Sequence, residues 1–193
     1  MKHRCEWANT NYLEIEYHDK QWGKPVHDDK VLFEFLLLEG AQAGLSWDTI
    51  LKRREGYRNA FDDFDFYKVA VYDDEKIEEL MQDSDIIRNR RKILSSRTNA
   101  RAFIDIVDEF GSFDKYIWGF VDYKPIQNSF KSMSDLPATT ELSEKISKDL
   151  KKREFSFVGP TIVYAFMQAV GMVNDHEIGC FRHEECKKLA GNK

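Results

Sequence analysis

A carboxylate set where folding has little use for one is the first chemical feature of this sequence. Glu39 closes the run LFEFLLLEG, and the stretch Leu38 to Trp47, LEGAQAGLSW, brings it close to two glycines and an indole. Ahead of it, Val31, Leu32, Phe33, Phe35, Leu36, Leu37 and Leu38 predict a helix that is apolar almost all round and therefore buried, with Gly40 as its C-terminal stop. A carboxylate in that last turn faces the negative end of the helix dipole and loses water. It needs a cationic or donor-rich partner, which a ligand can supply. The ordinary alternative is a Glu39 that points outward and is solvated.

A second group of residues has metal chemistry. His176-x-x-x-Cys180 would put two ligand-capable side chains on one face of a helical turn, and Cys5 and His18 lie at the other end of the chain. Together they form a Cys2His2 set suited to tetrahedral zinc with no position left for water, hence a structural site. Buried free thiols with incidental histidines are the plainer reading. Spacing leaves His3, His27, His183 and Cys186 as competing ligands.

The third group could bind phosphate. In Phe157-Val158-Gly159-Pro160-Thr161 a turn joins two helices, so backbone N–H groups lie beside a helix N-terminus, and the preceding helix ends in Lys148, Lys151, Lys152 and Arg153. An ordinary helical hairpin with a Gly-Pro turn would have the same form.

These residues need elements to position them, and the periodicity predicts helices throughout. A short helix around Leu13 to Tyr17 is followed by a loop broken by Gly23 and Pro25. The buried helix spans about Asp29 to Glu39, and a helix from about Ser46 to Glu55 follows with Ser46 as its N-cap, so Glu39 and Trp47 stand on opposite rims of one turn. Asp65 starts a helix through Val71, and Asp73 or Asp74 caps one carrying Ile77, Leu80 and Met81. A long helix begins at Ile86 and Ile87 and ends at Gly111; a short one covers Phe113 to Val121, with a weak strand signal at Phe120 to Tyr123. Thr140 caps a helix carrying Leu142, Ile146 and Leu150, and an apolar helix runs from Thr161 to Val170. The fold class is all-α, one domain over residues 1–193, with the hairpin pair at about 141–171.

Composition narrows the function classes. Hydrophobic residues make up 42% and aromatic residues 13%, enough for a core with rings left over for stacking. No apolar run is long enough to cross a bilayer and the first residues lack a signal-peptide core, so a cytoplasmic protein with no membrane partner is expected. Three cysteines argue against a disulfide framework. The net charge of −5 hides an asymmetry: residues 88–101 carry Arg88, Arg90, Arg91, Lys92, Arg97 and Arg101 with no acid, whereas residues 62–85 carry ten acids against Lys68 and Lys76. Such a basic run is commonly a solvated helix face and does not by itself imply DNA.

The segments Arg4-Cys5-x-Trp7, Tyr17-His18-Asp19-x-x-Trp22-Gly23, Leu38-Glu39-Gly40-x-Gln42-Ala43-Gly44-Leu45-Ser46-Trp47, Phe157 to Thr161 and Asn174-Asp175-His176-x-x-x-Cys180, in that order, resemble the bacterial 3-methyladenine DNA glycosylase I family. The resemblance covers roughly Arg4 to Cys180. It implies a helix-hairpin-helix glycosylase fold, two helical lobes around a base-binding cleft, and a structural zinc on Cys5, His18, His176 and Cys180 that joins the terminal segments. It further implies excision of 3-methyladenine from duplex DNA by a monomer, releasing the free base. The chemistry agrees. A 3-methylated adenine nucleotide is cationic, which suits an aromatic slot beside a carboxylate. Tyr17, Trp22 and Trp47 stack or bond to the base, and Glu39, the expected catalytic residue, balances its charge. Leu45, carried on the turn with Gly44, is a candidate wedge into the vacated stack, with a core leucine as the alternative. Lys152, Val158, Gly159 and Thr161 are the expected DNA-backbone contacts.

The sequence departs from the pattern in three places. Phe157 stands where the hairpin usually has its first glycine. Relatives in the wider superfamily place an Asp about twenty residues past the hairpin glycine, and here that position falls at Gly179, with Asp175 and Glu177 nearby. Glu14 replaces an expected aromatic three residues before Tyr17, which Tyr12 would have to compensate. With no Lys near that region, an imine-forming lyase is not expected. The reading is a monofunctional glycosylase. Its rivals are a zinc hydrolase built on His176 and Cys180, and a catalytically silent DNA- or nucleobase-binding module.

Overall fold

A computed structural model describes residues 2–191. Ten α-helices follow one another among these residues: α1 Tyr12–Lys20, α2 Asp29–Gln42, α3 Trp47–Ala60, α4 Phe66–Ala70, α5 Asp74–Gln82, α6 Arg90–Phe110, α7 Phe113–Gly119, α8 Glu141–Lys152, α9 Pro160–Ala169 and α10 Phe181–Gly191. The all-α expectation needs one correction. Ile126–Gln127 (β1) pairs in parallel with Val173–Asn174 (β2), a two-residue bridge. The strand signal at Phe120 to Tyr123 is not a strand: Asp122 and Tyr123 take left-handed backbone in a turn after α7.

Helix α2 is the hub. From Leu32 to Ala41 every residue is buried, and the helix packs against α3, α6, α7 and α9, as an element apolar on all faces must. Its N-terminus is capped by Asp28, whose side chain accepts from the Val31 N–H. Gly40 does not stop it. The helix runs on to Gln42 because the chain leaves helical backbone only at Ala43, followed by Gly44 at a φ of 78°. Gly40 instead faces the turn after α8, where an added Cβ would lie 3.4 Å from the Phe157 Cβ.

Other boundaries shift for identifiable reasons. Ile86 and Ile87 precede α6 rather than start it, since the Asn89 side chain caps the helix by accepting from the Lys92 N–H. Trp47 opens α3 after the Ser46 cap, and α3 continues past Glu55 to Ala60. His176 and Cys180 do not share a helical turn; they lie in an irregular segment after β2, and the tail beyond them forms α10.

The N-terminal arm is bound to α9 through backbone. Gly23 N–H donates to the Gln168 carbonyl and Val26 N–H to that of Val170. Gly171 sits under this junction with a φ of 73°, and a Cβ there would come 2.4 Å from the Lys24 carbonyl carbon. Left-handed backbone and a backbone obstruction together exclude a side chain. Gly171→Ala is expected to destabilise the protein by about 2 kcal/mol or more, read as a lowered urea midpoint; a midpoint equal to that of the parent protein would contradict this packing.

Candidate functional site

Helix α2 delivers Glu39 into a cleft of about 440 Å3 whose walls come from distant parts of the chain. Tyr17 from α1, Trp47 from the first turn of α3, and Trp7 and Trp22 from the arm line it on one side, with Tyr164 and Gln168 of α9 opposite. Glu39 is 3% exposed. Burial alone pushes its carboxyl up to about 8, with no hydrogen bond or neighbouring cation acting against it. Lys92 Nζ donates to the carbonyls of Ala41 at 2.8 Å and Ala43 at 2.6 Å, closing the C-terminal end of α2.

The aromatic wall is built by ring contacts. Tyr17 and Trp47 have centroids 5.3 Å apart, and Tyr17 is buried and raised well above its ordinary pKa by that burial and then by Glu39. Trp22 lines the cleft but packs edge-on against Trp7 at 5.1 Å and His176 at 4.6 Å, which ties the slot to the segment bearing Cys180. The indole Nε1 of Trp47 is buried without a partner. Glu14 also lines the cleft; it is half-buried, one of its oxygens has no partner, and burial raises its pKa. Tyr12 is 72% exposed and lies away from the cleft, so it does not compensate for Glu14.

Leu45 stands at the tip of the turn between α2 and α3 and is 38% exposed, which settles it as a surface leucine and not a core one. Its N–H donates to the Gln42 carbonyl at 2.7 Å and its carbonyl accepts from Gln42 Nε2 at 3.0 Å. Gln42 thus fixes the tip on which Leu45 and Gly44 are presented.

The turn between α8 and α9 contains a strained residue. Phe157 takes a φ of 56°, the left-handed conformation that a glycine would adopt without cost. Three contacts hold it. Asn99 of α6 bonds both the carbonyl and the N–H of Ser156, at 2.9 and 2.8 Å, and the Ser147 hydroxyl donates to the Val158 carbonyl at 2.6 Å. Val158 is buried as a whole residue. Gly159 is the N-cap of α9 with Pro160 as the first helical residue, and Lys152 is exposed at the end of α8. Thr161, expected from the sequence among the DNA-backbone contacts, lines the cleft that holds Glu39.

Cys5, His18 and Cys180 converge, with their ligand atoms all within 4.8 Å of one another, a cluster that could hold a metal ion. Each is oriented. His18 Nδ1 donates to Asp19, itself held by Arg4 and pushed down to about 2, which leaves Nε2 free toward the Cys180 sulfur at 3.4 Å. The thiols act on each other, Cys5 being driven up and Cys180 down by their mutual hydrogen bond. His176 falls outside that set but lies beside it, its ring centroid 5.1 Å from that of His18. Its Nδ1 donates to Asn174 Oδ1, and its Nε2 is buried with no partner. A neutral imidazole with a buried, unpartnered lone pair, packed against the ring of a histidine of that cluster, fits a metal ligand. Asp175 and Glu177 are both occupied: Asp175 accepts from Asn128, Tyr164 and Gln168, and Glu177 from the Glu6 N–H.

The methyladenine glycosylase family pattern matches residues 7–183. The chain belongs to that family. DNA-3-methyladenine glycosylase 1 of Escherichia coli K12 is 49% identical over 177 residues, covering 92% of this chain and 95% of the relative. A crystal structure of a 3-methyladenine DNA glycosylase I superposes with a TM-score of 0.90 at 47% identity, over 93% of this chain and 98% of that one. A structure of the Staphylococcus aureus enzyme, determined for its recognition of 3-methyladenine, gives a TM-score of 0.90 at 36% identity, over 92% of this chain and 95% of that one. The sequence motifs therefore pointed to the right family.

Trp7, Gln42, Tyr164, Gln168 and, from one loop, Met133, Leu136, Pro137 and Ala138 also line the cleft, and sequence reasoning assigned none of them a role. Trp7 and Gln42 sit inside quoted motifs and could have been found there. The loop has no periodicity to mark it.

The Glu39 carboxyl also predicts a pH dependence. Its folded value of about 8 lies above the ordinary 4.5, so the folded state holds a proton that the unfolded chain releases. That contribution is fully present below about pH 4.5 and is lost as pH rises toward 8. Over this window the parent protein should lose stability relative to Glu39→Gln, by at most about 1.4 kcal/mol per pH unit. Parallel curves of urea midpoint against pH for the two proteins would show that Glu39 is solvated.

Proposed function

We propose that this chain is a monofunctional DNA glycosylase that hydrolyses the N-glycosidic bond of 3-methyladenine in alkylated duplex DNA, releasing the free base and leaving an abasic site. The observation that carries this reading is Glu39: a buried carboxyl with no cation of its own, in a cleft walled by Tyr17 and Trp47. An extruded 3-methyladenine nucleotide brings the missing positive charge. Its arrival draws the Glu39 proton off and the pair forms in a water-poor slot, where attraction is strong. Tyr17, Trp22 and Trp47 supply the stacking surface, and Leu45 on its Gly44 turn fills the gap left in the duplex.

In the reaction the bond from C1′ to the base nitrogen breaks and its electron pair passes to the cationic ring, which leaves neutral. A water oxygen bonds to C1′ and its proton passes to solvent. So good a leaving group needs no dedicated base, consistent with Asp175 and Glu177 both being tied up in internal hydrogen bonds. The cleft is complete within a single chain, which supports a monomer acting as one glycosylase domain over residues 1–193. Three unpaired thiols support a reducing cytoplasm.

We read α8, the Phe157 turn and α9 as a helix-hairpin-helix that grips the DNA backbone through the N–H groups of Val158 and Gly159, with Lys152 and Thr161 beside them. The metal cluster we read as structural zinc on Cys5, His18, Cys180 and His176, the last supported by its partnerless Nε2. Bound there, zinc supplies a cross-link between the arm and the C-terminal segment, and four protein ligands leave it no open position.

Glu39→Gln should stay folded and bind undamaged duplex as the parent does, while excision of 3-methyladenine from methylated DNA falls sharply. Trp47→Ala should weaken capture of the free base by about 1 to 3 kcal/mol. Excision by Glu39→Gln at the parent rate would defeat the slot reading. Cys5→Ala should lose both metal, by elemental analysis, and thermal stability, because structural zinc contributes roughly 10 to 16 kcal/mol in small domains. Protein purified without chelator and free of zinc would refute the cross-link.

A further inference from the structure

The basic run at residues 88–101 has six cationic side chains, and the fold uses four of them. Arg90 pairs with Glu78, and Arg97 with Asp74; Arg101 donates to the Ala70 carbonyl, and Lys92 closes α2. Among the described residues, Arg88 and Arg91 have neither an ion pair nor a hydrogen bond. Arg91 is the more informative of the two because of where it stands. It lies in the first turn of α6, where the helix dipole disfavours a cation and where no acid offsets it. Its side chain is exposed, so it contributes nothing to the core. Folding gives no reason for it.

Arg91 lines an open groove with Ser95 and Thr98 of α6 on one side and Lys151 and the turn from Phe155 to Gly159 on the other. No carboxylate lines the groove, and Lys151, like Arg91, has no acidic partner among the described residues. The two walls are fixed relative to each other, since Asn99 of α6 bonds the Ser156 carbonyl and N–H at once. A rigid groove with a guanidinium on one rim and an ammonium on the other is complementary to a phosphodiester.

We propose that this groove binds a backbone phosphate of the DNA strand gripped by the hairpin turn, with Arg91 on α6 and Lys151 on α8 as its two cationic contacts. The inference rests on reading that turn as a DNA-backbone site. It extends the DNA surface from the hairpin onto the first turn of α6. Such contacts position the duplex without reading its sequence, so they add affinity and salt dependence but no base preference.

The test is binding of a fluorescein-labelled undamaged duplex, followed by anisotropy between roughly 50 and 200 mM salt. Arg91→Gln should weaken binding about three- to tenfold at the lower salt and reduce the slope of log affinity against log salt by about 1. Lys151→Gln should do the same, and the double variant should lose about 2 from the slope. Thermal stability of Arg91→Gln should be unchanged or slightly raised, and its affinity for free 3-methyladenine should match the parent. Parent-like affinity and slope in Arg91→Gln, alongside weakened binding in Lys152→Ala, would overturn the groove and leave the hairpin reading standing. A parent protein that binds duplex without salt dependence would overturn both.

Discussion

Desolvation of one carboxyl is the constraint on which the rest of the structure depends. Glu39 rides on a helix that is buried on every face, and α2 cannot turn it toward solvent without exposing leucine or phenylalanine elsewhere. The fold therefore carries an unfavourable group, whose proton its burial helps to hold. Most buried carboxyls are paired within the protein; Glu34, one helical turn and a residue earlier, shows the contrast, with Arg54 at 2.7 Å and Arg58 at 3.0 Å. Two buried glutamates on one helix thus have opposite fates, and the difference between them is the presence of an internal partner.

The remaining architecture keeps that site open and in register. Lys92 and Gln42 fix the turn beyond Glu39, which sets the separation between the carboxyl and the Trp47 ring. The arm supplies Tyr17, Trp22 and Trp7, and its position depends on the Gly171 junction and on the cluster of Cys5, His18 and Cys180. The hairpin turn touches α2 at Gly40 and α6 at Asn99, so the surface that would grip DNA and the slot that would receive the base share one rigid support. Strain at Phe157 is tolerated because hydrogen bonds on both sides of it leave the backbone little freedom.

Much of this was legible in the sequence, for physical reasons. The apolar run ahead of Glu39 predicted a buried helix because no surface helix can be hydrophobic all round, and caps at Ser46, Asp65, Asp73 and Thr140 each formed as their side chains allow. What escaped was set by long-range contacts. Gly40 looked like a helix stop but lies inside α2, where it faces the turn after α8. His176 and Cys180 looked helical by spacing, yet the β1–β2 bridge draws the chain out before them. The cluster of Cys5, His18 and Cys180 was legible as residue types able to hold a metal, whereas which histidine joins it depends on packing across the whole chain. Glu14 stood out as an oddity, and its place in the cleft could not be read without the structure.

The central claim is that Glu39 lacks a partner until a cationic base supplies one. The most direct measurement is a 13C NMR titration of the Glu39 side-chain carboxyl, with and without a permanently charged base such as 3,9-dimethyladeninium. The account predicts a pKa near 8 in the free protein and a fall of several units once the slot is filled. An ordinary carboxyl pKa in the free protein, or a raised one that the bound cation leaves unmoved, would contradict it.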